Sequence, residues 1–290
     1  MNYSFFPGCS LEATARDFLV STVAVAEALG VRLQPLPDWT CCGSTPAHAS
    51  DGLLAVALAA RNLAIAEQLG PDLVVCCSSC YSRLAAANQA VASDAEFRGS
   101  VAEAIGRDYN GGVRVRHLLQ VLWEDIGLEE ISDSIVKSLN GLKVACYYGC
   151  LLTRPKEQSI VSDPEDPRIM EEILSAAGAE PVEWPYKTDC CGASFSISRT
   201  STVERLGAQI LRMAKRSGAD CIAVACPLCQ SNLDLRQADI EKSAVERLGI
   251  PVFYFTQLLG IALGLSREAL GIDRLVVDPR KVLRKSASAS

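Results

Sequence analysis

Short hydrophobic runs alternate along the chain with longer stretches in which hydrophobic residues recur at helical spacing. The runs NYSFF, VRLQPL, DLVVC and VRVRH predict four strands in the first part of the chain, and LKVACYY, AEPVEW, DCIAVAC and PVFYF predict four more in the second. Strands that alternate with helices favour parallel sheets with right-handed crossovers. We therefore expect an α/β fold.

The predicted helices have recognisable ends. Residues 12–29 and 47–69 have helical periodicity, and a glycine follows each of them, which is typical of a helix C-terminus. The chain after Cys80 and the chain after VRVRH also have helical character. This alternation is that of a Rossmann-like domain.

Two stretches carry weak structural signals. Residues 88–112 and 127–141 are rich in Gly, Asn and Ser. We interpret the second stretch as a linker, which divides the chain into domains at residues 1–135 and 136–290. The last residues of the second domain, RKSASAS, are expected to form a short disordered tail.

The composition excludes several classes of protein. The 290 residues are 49% hydrophobic, which is enough for a sizeable core, and the net charge of −6 disfavours binding to nucleic acid. No hydrophobic run reaches the ~20 residues of a membrane-spanning helix, and the N-terminal sequence lacks the features of a secretory signal. We expect a soluble cytoplasmic protein, in which thirteen cysteines indicate metal or redox chemistry rather than disulfides.

The cysteines show that the chain repeats itself. Each half carries a single cysteine, an adjacent pair followed by glycine, and a Cys-x-x-Cys motif, with 34 residues between the pair and the last motif in both halves. The interval before the pair is 31 residues in the first half and 39 in the second, where SDPEDPR is a turn-rich insertion. The first set is Cys9, Cys41, Cys42, Cys77 and Cys80, and the second set is Cys150, Cys190, Cys191, Cys226 and Cys229. We therefore expect an internally duplicated pseudo-dimer of two Rossmann-like domains.

The repeat also sorts the cysteines by role. Cys76, Cys146 and Cys221 have no cysteine counterpart in the other half, so we interpret them as small buried hydrophobic residues. The ten recurring cysteines lie at or just after the C-terminal ends of predicted strands, which is where open α/β sheets bind ligands. These ten are the candidate metal ligands.

Iron–sulfur chemistry fits five recurring thiols better than the alternatives. A structural zinc ion takes four ligands, and no His recurs at matching positions. A thioredoxin-like site needs only one Cys-x-x-Cys pair. A cubane cluster takes one thiolate per iron, so either one cysteine of each set is not a ligand or the cluster is not a simple cube. Adjacent thiols reach one cluster only if the backbone turns, which Gly43 and Gly192 permit.

The duplicated motif resembles the CCG-domain family of cysteine-rich iron–sulfur proteins, and within it the B subunits of heterodisulfide reductases. The similarity covers about residues 3–265 and is strong in CPLCQSNLDLRQ and VFYFTQLLGIALGL. It implies two noncubane [4Fe-4S] clusters at the strand C-terminal ends, one held by each set. It also implies that a disulfide is cleaved, or formed, between the clusters in paired one-electron steps. The implied partners are a ferredoxin-like C subunit and a flavin-bearing A subunit.

Other functions remain open beside this one. The chain is alternatively the B subunit of a bacterial sulfur-oxidising complex of the same family, which acts on a carrier-bound sulfur, or an electron-transfer subunit of an organic-acid oxidase. A zinc-stabilised scaffold without redox activity is a further alternative. Measured iron and acid-labile sulfide would exclude the scaffold.

A few polar residues are candidates for supporting roles. His117, at the end of VRVRH, is the catalytic candidate because a departing thiolate needs a proton, and His48 is a second histidine of this kind. Either histidine is alternatively structural. Arg154, Lys156 and Arg199 follow cysteines closely, and they either hold an anionic part of the substrate or are solvated surface charges.

Overall fold

Two four-stranded parallel sheets organise the computed structural model, which describes residues 1–44 and 47–287. The strands are β1 (Asn2–Phe6), β2 (Arg32–Pro35), β3 (Asp72–Val75), β4 (Arg114–His117), β5 (Lys143–Tyr147), β6 (Glu180–Pro181), β7 (Cys221–Val224) and β8 (Val252–Tyr254). The strand order is β2-β1-β3-β4 in the first sheet and β6-β5-β7-β8 in the second, so the two halves have the same topology. The predicted α/β fold with duplicated halves is confirmed, and each predicted strand is present.

Helices connect these strands. They are α1 (Gly8–Glu12), α2 (Arg16–Ala28), α3 (Ala47–Ser50), α4 (Gly52–Glu67), α5 (Ser78–Ser93), α6 (Ala95–Ile105), α7 (Leu118–Gln120), α8 (Leu128–Asp133), α9 (Ile169–Ala176), α10 (Thr200–Arg216), α11 (Pro227–Gln230), α12 (Gln237–Ala244), α13 (Phe255–Ala262) and α14 (Arg280–Ala287). Short π-helical segments, Val121–Ile126 and Ser231–Leu235, follow α7 and α11. None of the helices in the described part of the chain is both long and apolar enough to cross a membrane.

The strand register confirms the alignment of the repeat. Phe5 of β1 lies beside Val74 of β3, and its counterpart Cys146 of β5 lies beside Ala223 of β7. The cysteines outside the repeat, Cys76, Cys146 and Cys221, are fully buried, as predicted. Burial in this apolar core raises the pKa of Cys76 to about 12, which keeps its thiol protonated.

Two weakly patterned segments contain helix. Residues 88–112 are mostly helical, because α5 continues to Ser93 and α6 follows directly. The carboxylate of Asp94 accepts hydrogen bonds from the backbone N–H groups of Glu96 and Phe97, which caps the start of α6. Within the expected disordered tail, residues 284–287 belong to α14, and residues 288–290 lie outside the described residues.

The two halves pack against each other reciprocally. Helix α2 of the first half contacts α13 of the second, and α9 of the second contacts α7 and α8 of the first. In the first of these contacts the ring of Phe18 stacks on Tyr254, with centroids 4.1 Å apart, and the hydroxyls of Ser21 and Thr256 are 2.7 Å apart. Self-complementary contacts of this kind are those of a two-fold dimer. The pairing places the two sheets side by side as a pseudo-dimer.

Candidate iron–sulfur centre

The cysteines of the first set follow the C-terminal ends of β1, β2 and β3, and those of the second set follow the C-terminal ends of β5, β6 and β7. In each half the chain runs from β1 (or β5) to the edge strand on one side of the sheet, β2 (or β6). From β3 (or β7) it runs to the edge strand on the opposite side, β4 (or β8). The boundary between β1 and β3, or between β5 and β7, is therefore a topological switch point. Loops at such a point diverge and leave a crevice in which ligands bind. The topology therefore brings the three cysteine motifs of each half to one crevice.

Glycine turns the backbone after each adjacent cysteine pair. Gly43 and Gly192 both have a φ of +78°, which is a left-handed conformation that favours glycine. In the second half the N–H of Gly192 donates a hydrogen bond to the thiol of Cys190 at 3.3 Å. The chain therefore turns directly after each adjacent pair, at the glycine where the sequence predicted a turn.

A second pair of glycines lies beside the thiols, and sequence reasoning did not single it out. Gly8 and Gly149 have φ values of +72° and +66°. A Cβ atom at Gly8 would lie 3.1 Å from the sulfur of Cys80, and one at Gly149 would lie 3.1 Å from the sulfur of Cys229. The signal was visible in the sequence, because a glycine precedes the first cysteine of both sets.

Contacts between sulfur atoms show that each set converges. The sulfur atoms of Cys42 and Cys80 are 3.3 Å apart, and those of their counterparts Cys191 and Cys229 are 3.6 Å apart. The first cysteine of each set contacts the first member of the adjacent pair: Cys9 with Cys41, and Cys150 with Cys190. All five motif positions of each half therefore belong to one group of thiols.

The two groups of thiols also meet each other. The side chain of Cys226 in the second set lies near enough to Cys77 of the first set to raise the pKa of the Cys77 thiol well above its usual value. The hydroxyl of Ser78 donates to the backbone oxygen of Ala225 at 3.0 Å, which holds the two strand ends together. The pseudo-two-fold relation thus places the Cys-x-x-Cys motifs at a shared centre.

The thiols differ in their acidity because of their neighbours. A hydrogen bond from Cys80 lowers the pKa of Cys42 to about 7, and a hydrogen bond from Cys150 lowers that of Cys190 to about 6. A hydrogen bond from Cys229 lowers the pKa of Cys226 well below its usual value. Thiolates are the form that binds metals, so each set contains at least one cysteine that ionises readily.

The arrangement of donors fits a cluster better than a single ion. Throughout residues 1–44 and 47–287, no three Cys, His, Asp or Glu side chains form a group that could hold one metal ion. The sulfur atoms instead contact each other in pairs, around a crevice to which each half brings five thiols. An iron–sulfur cluster takes its thiolates on separate irons and so requires a wider set than a zinc tetrahedron.

His117 occupies a buried structural position between the halves. Its Nε2 lies 2.8 Å from the backbone oxygen of Cys76, and its Nδ1 accepts the N–H of Leu119 at 3.2 Å. Burial lowers its pKa to about 4, so the ring is neutral with its proton on Nε2. Because both ring nitrogens are engaged by the backbone, this geometry favours the structural alternative over proton donation. The side chain of His48 lies outside the described residues.

A buried ion-pair network supports the second set. The ammonium group of Lys187 lies 2.8 Å from a carboxylate oxygen of Asp166 and 3.0 Å from one of Glu171. Its backbone oxygen accepts the N–H groups of Tyr148 and Gly149, just before Cys150. Lys187 therefore ties the insertion SDPEDPR to the loops that carry Cys150 and Cys190.

The cations singled out from the sequence are all exposed. Arg154 forms an ion pair with Glu165 at 3.0 Å, whereas Lys156 and Arg199 form no ion pair with any described residue. Arg154 and Lys156 line an open cleft of about 680 Å³ beside the insertion. The geometry thus leaves Lys156 available to a ligand.

A duplicated α/β fold that gathers five thiols at the strand ends of each half defines a cysteine-rich protein of the iron–sulfur type. The family model for the cysteine-rich domain matches residues 3–85 and 144–234, one match in each half. The chain belongs to this cysteine-rich (CCG) family.

Relatives cover almost the whole chain. It is 34% identical to the 8-methylmenaquinol:fumarate reductase membrane anchor subunit of Wolinella succinogenes, over 97% of this chain and 98% of that one. It is 32% identical to the B subunit of the ferredoxin/F420H2-dependent CoB-CoM heterodisulfide reductase of Methanosarcina acetivorans, over 97% and 96%. The chain is therefore a heterodisulfide reductase B-like iron–sulfur protein.

A solved structure shares the fold. The crystal structure of a hypothetical protein from Helicobacter pylori superposes with a TM-score of 0.74 at 13% identity. The alignment covers 96% of this chain and 52% of that one, so this chain spans about half the length of that protein. At this identity the likeness bears on the fold alone.

Proposed function

We propose that the chain is the catalytic subunit of a heterodisulfide reductase-like complex, in which a disulfide is reduced to two thiols between two noncubane [4Fe-4S] clusters. The observation that carries the proposal is the hydrogen bond from the Ser78 hydroxyl to the backbone oxygen of Ala225 at 3.0 Å, because it joins the residues next to Cys77 and Cys226 and so sets the two groups of five thiols side by side. Reduction of a disulfide consumes two electrons and two protons and yields two thiols. Bound iron–sulfur clusters supply electrons singly, so two neighbouring centres match this stoichiometry.

The residues of the chain hold and orient the reacting groups. Each five-cysteine set binds one cluster, and five ligands on four irons are the reason to propose the noncubane form. Cys9 and Cys190 are the exposed members of their sets and mark the sides from which a substrate approaches. The Cys-x-x-Cys motifs are buried and face the centre of the molecule. Protons reach the products from solvent, since His117 is engaged on both nitrogens.

The proposed partners follow from the same assignment. A flavin-bearing A subunit divides electron pairs into single electrons, and a ferredoxin-like C subunit delivers these electrons one at a time to this chain. Several curated relatives are named as subunits of heterodisulfide reductases, which supports a complex of this kind. We propose that this complex lies in the cytoplasm.

Iron analysis and spectroscopy test the proposal. Anaerobically purified protein is expected to hold about eight iron and eight acid-labile sulfide per chain, two clusters of four. The reduced protein is then mixed with a disulfide and frozen within milliseconds for electron paramagnetic resonance. A substrate-dependent signal supports cleavage at the clusters. A protein with both clusters whose paramagnetic resonance spectrum does not change with any disulfide would contradict the catalytic role.

A second candidate function is electron transfer without disulfide chemistry. It is favoured by the 34% identity, over nearly the full length, to a relative that is named as a subunit of a methylmenaquinol:fumarate reductase. In this case the clusters pass electrons between partner proteins. Reduced clusters that are reoxidised by a menaquinone analogue or a partner protein, and by no disulfide, would establish this alternative.

A further inference from the structure

The two halves differ at one duplicated position that follows the Cys-x-x-Cys motif. Asn232 lies three residues after Cys229, and Arg83 lies three residues after Cys80, so the repeat aligns the two. On a helix, residues three apart share a face, and side chains lean toward the N-terminal end. A side chain at this position is therefore directed toward the start of its helical segment, where the cysteines lie.

Asn232 contacts the second set through both polar atoms of its amide. The side chain is buried, and its amide nitrogen donates to the backbone oxygen of Cys191 at 3.1 Å and to the sulfur of Cys191 at 3.6 Å. The amide oxygen accepts the hydroxyl of Ser196 at 3.0 Å. One side chain therefore holds both the adjacent cysteine pair and the loop that follows it.

These contacts determine which way the amide of Asn232 points. A backbone oxygen can only accept a hydrogen bond, so the group that faces the oxygen of Cys191 is the nitrogen and not the amide oxygen. An amide nitrogen carries two N–H donors, which is one for the backbone oxygen and one for the sulfur. The sulfur of Cys191 therefore has a fixed, buried donor beside it.

The first set has no equivalent donor among the residues that the structure describes. The Nε of Arg83 is buried without a hydrogen-bonding partner, so this side chain does not repeat the contacts of Asn232. The amide of Asn62 donates to the backbone oxygens of Thr40 and Leu58, at 3.0 Å each, and to no sulfur. The two sets of thiols therefore share their cysteine spacing but differ in the side-chain donors that surround them.

We propose that Asn232 is a positioning residue that makes the two centres unequal: its N–H group raises the reduction potential of the cluster held by the second set. An electron added to a cluster increases the negative charge on its sulfur ligands. A donor to a ligand sulfur therefore stabilises the reduced form more than the oxidised form, which raises the potential. The inference rests on the proposed function for a cluster at each set, but it requires no disulfide substrate.

Two variants of the full chain separate the N–H donor from the shape of the loop. Asn232→Leu keeps the size of the side chain but removes its N–H groups, whereas the matched control Ser196→Ala removes only the hydroxyl that contacts the amide oxygen. Redox titrations of the anaerobically purified proteins, followed by electron paramagnetic resonance, give the two midpoint potentials. Asn232→Leu is expected to lower one potential, by an amount that corresponds to about a 3- to 10-fold change in the equilibrium constant for reduction. Ser196→Ala is expected to change neither potential.

A measurement on the unsubstituted chain tests the contact with the sulfur directly. The chain is produced with asparagine that carries nitrogen-15 in its side-chain amide, and pulsed electron paramagnetic resonance of the reduced protein detects labelled nuclei that are hydrogen-bonded to a cluster. Among the described residues, Asn232 is the asparagine whose amide contacts a cysteine sulfur, so a nitrogen-15 coupling is expected. Asn232→Leu should abolish it. The result for the unsubstituted chain holds whether or not either variant folds.

The outcomes separate this inference from the proposed function. If the coupling and the potentials behave as expected but no disulfide is reduced, the role of Asn232 stands and the catalytic proposal fails. If disulfides are reduced but Asn232→Leu retains the potentials of the unsubstituted chain, the catalytic proposal stands and the role of Asn232 fails. An absent nitrogen-15 coupling in protein with both clusters, or equal shifts of potential in Asn232→Leu and Ser196→Ala, would also overturn the inference.

Discussion

Glycine stands at the points where backbone and sulfur approach most closely. At Gly149 the left-handed backbone disfavours a side chain, and an added Cβ would press on the sulfur of Cys229 at 3.1 Å, whereas Gly218 has a similar φ of +78° and a Cβ added there would meet no atom within 4 Å. The two glycines therefore separate backbone strain from a steric effect on the thiols. Backbone strain would arise at both glycines, whereas the steric effect on a thiol would arise only at Gly149.

Replacing Gly149 by alanine is expected to lower the free energy of unfolding by about 1–2 kcal/mol, the cost of a left-handed alanine, and to reduce the iron bound by the second set. Gly218→Ala is expected to lose similar stability and keep its iron. Chemical denaturation and iron analysis measure the two effects. Equal iron content in both variants would contradict the role assigned to Gly149.

The buried neutral His117 makes stability depend on pH. Its folded-state pKa of about 4 lies below the ordinary value of 6.5, so the unfolded chain takes up the proton first and the stabilisation is lost as pH falls from 6.5 toward 4. Between pH 7.5 and 5 this residue is expected to remove about 2 kcal/mol of stability. His117→Gln should flatten that part of the profile, as measured by denaturation at each pH. An unchanged profile would mean that His117 is exposed to solvent protons.

Helix α6 forms in a segment whose hydrophobic pattern is weak. Residues 88–112 contain few of the periodic apolar positions that reveal a helix, so the structural signal of this stretch is weak. The helix forms because Asp94 caps its N-terminus and Gly106, at a φ of +67°, ends it. Asp94→Ala is expected to lower the free energy of unfolding by about 1 kcal/mol, whereas Asp108→Ala, beyond the helix, should have little effect. Thermal denaturation monitored by circular dichroism distinguishes the two.

The contact between α2 and α13 carries much of the packing between the halves. Phe18 is fully buried and stacks on Tyr254, while its neighbour Val20 is 41% exposed on the same helix. Phe18→Ala is expected to cost about 3–5 kcal/mol because it opens a cavity between the two sheets, and Val20→Ala less than about 0.5 kcal/mol. Denaturant titrations give both values. A small loss for Phe18→Ala would show that the halves hold together through other contacts.

At the scale of the molecule, the duplication made much of the architecture predictable. Eight hydrophobic runs gave the strands, and matching cysteine intervals gave the repeat, because both are periodic in the sequence. The contact between Cys77 and Cys226 was not predictable, since it depends on how α2 and α9 pack across the interface.

The contact between the sets predicts that the two cluster sites are not independent. Cys77→Ala removes the thiol that lies near Cys226 across the interface, whereas Cys9→Ala removes a thiol of the first set that lies near Cys41 of its own set. Both variants are expected to lose the first cluster, so comparing them cancels the effect of its absence. The second cluster should then differ between the variants in reduction potential and paramagnetic spectrum, because hydrogen bonds to ligand sulfurs tune both. Superimposable spectra and equal potentials in the two variants would show that Cys77 does not act across the interface.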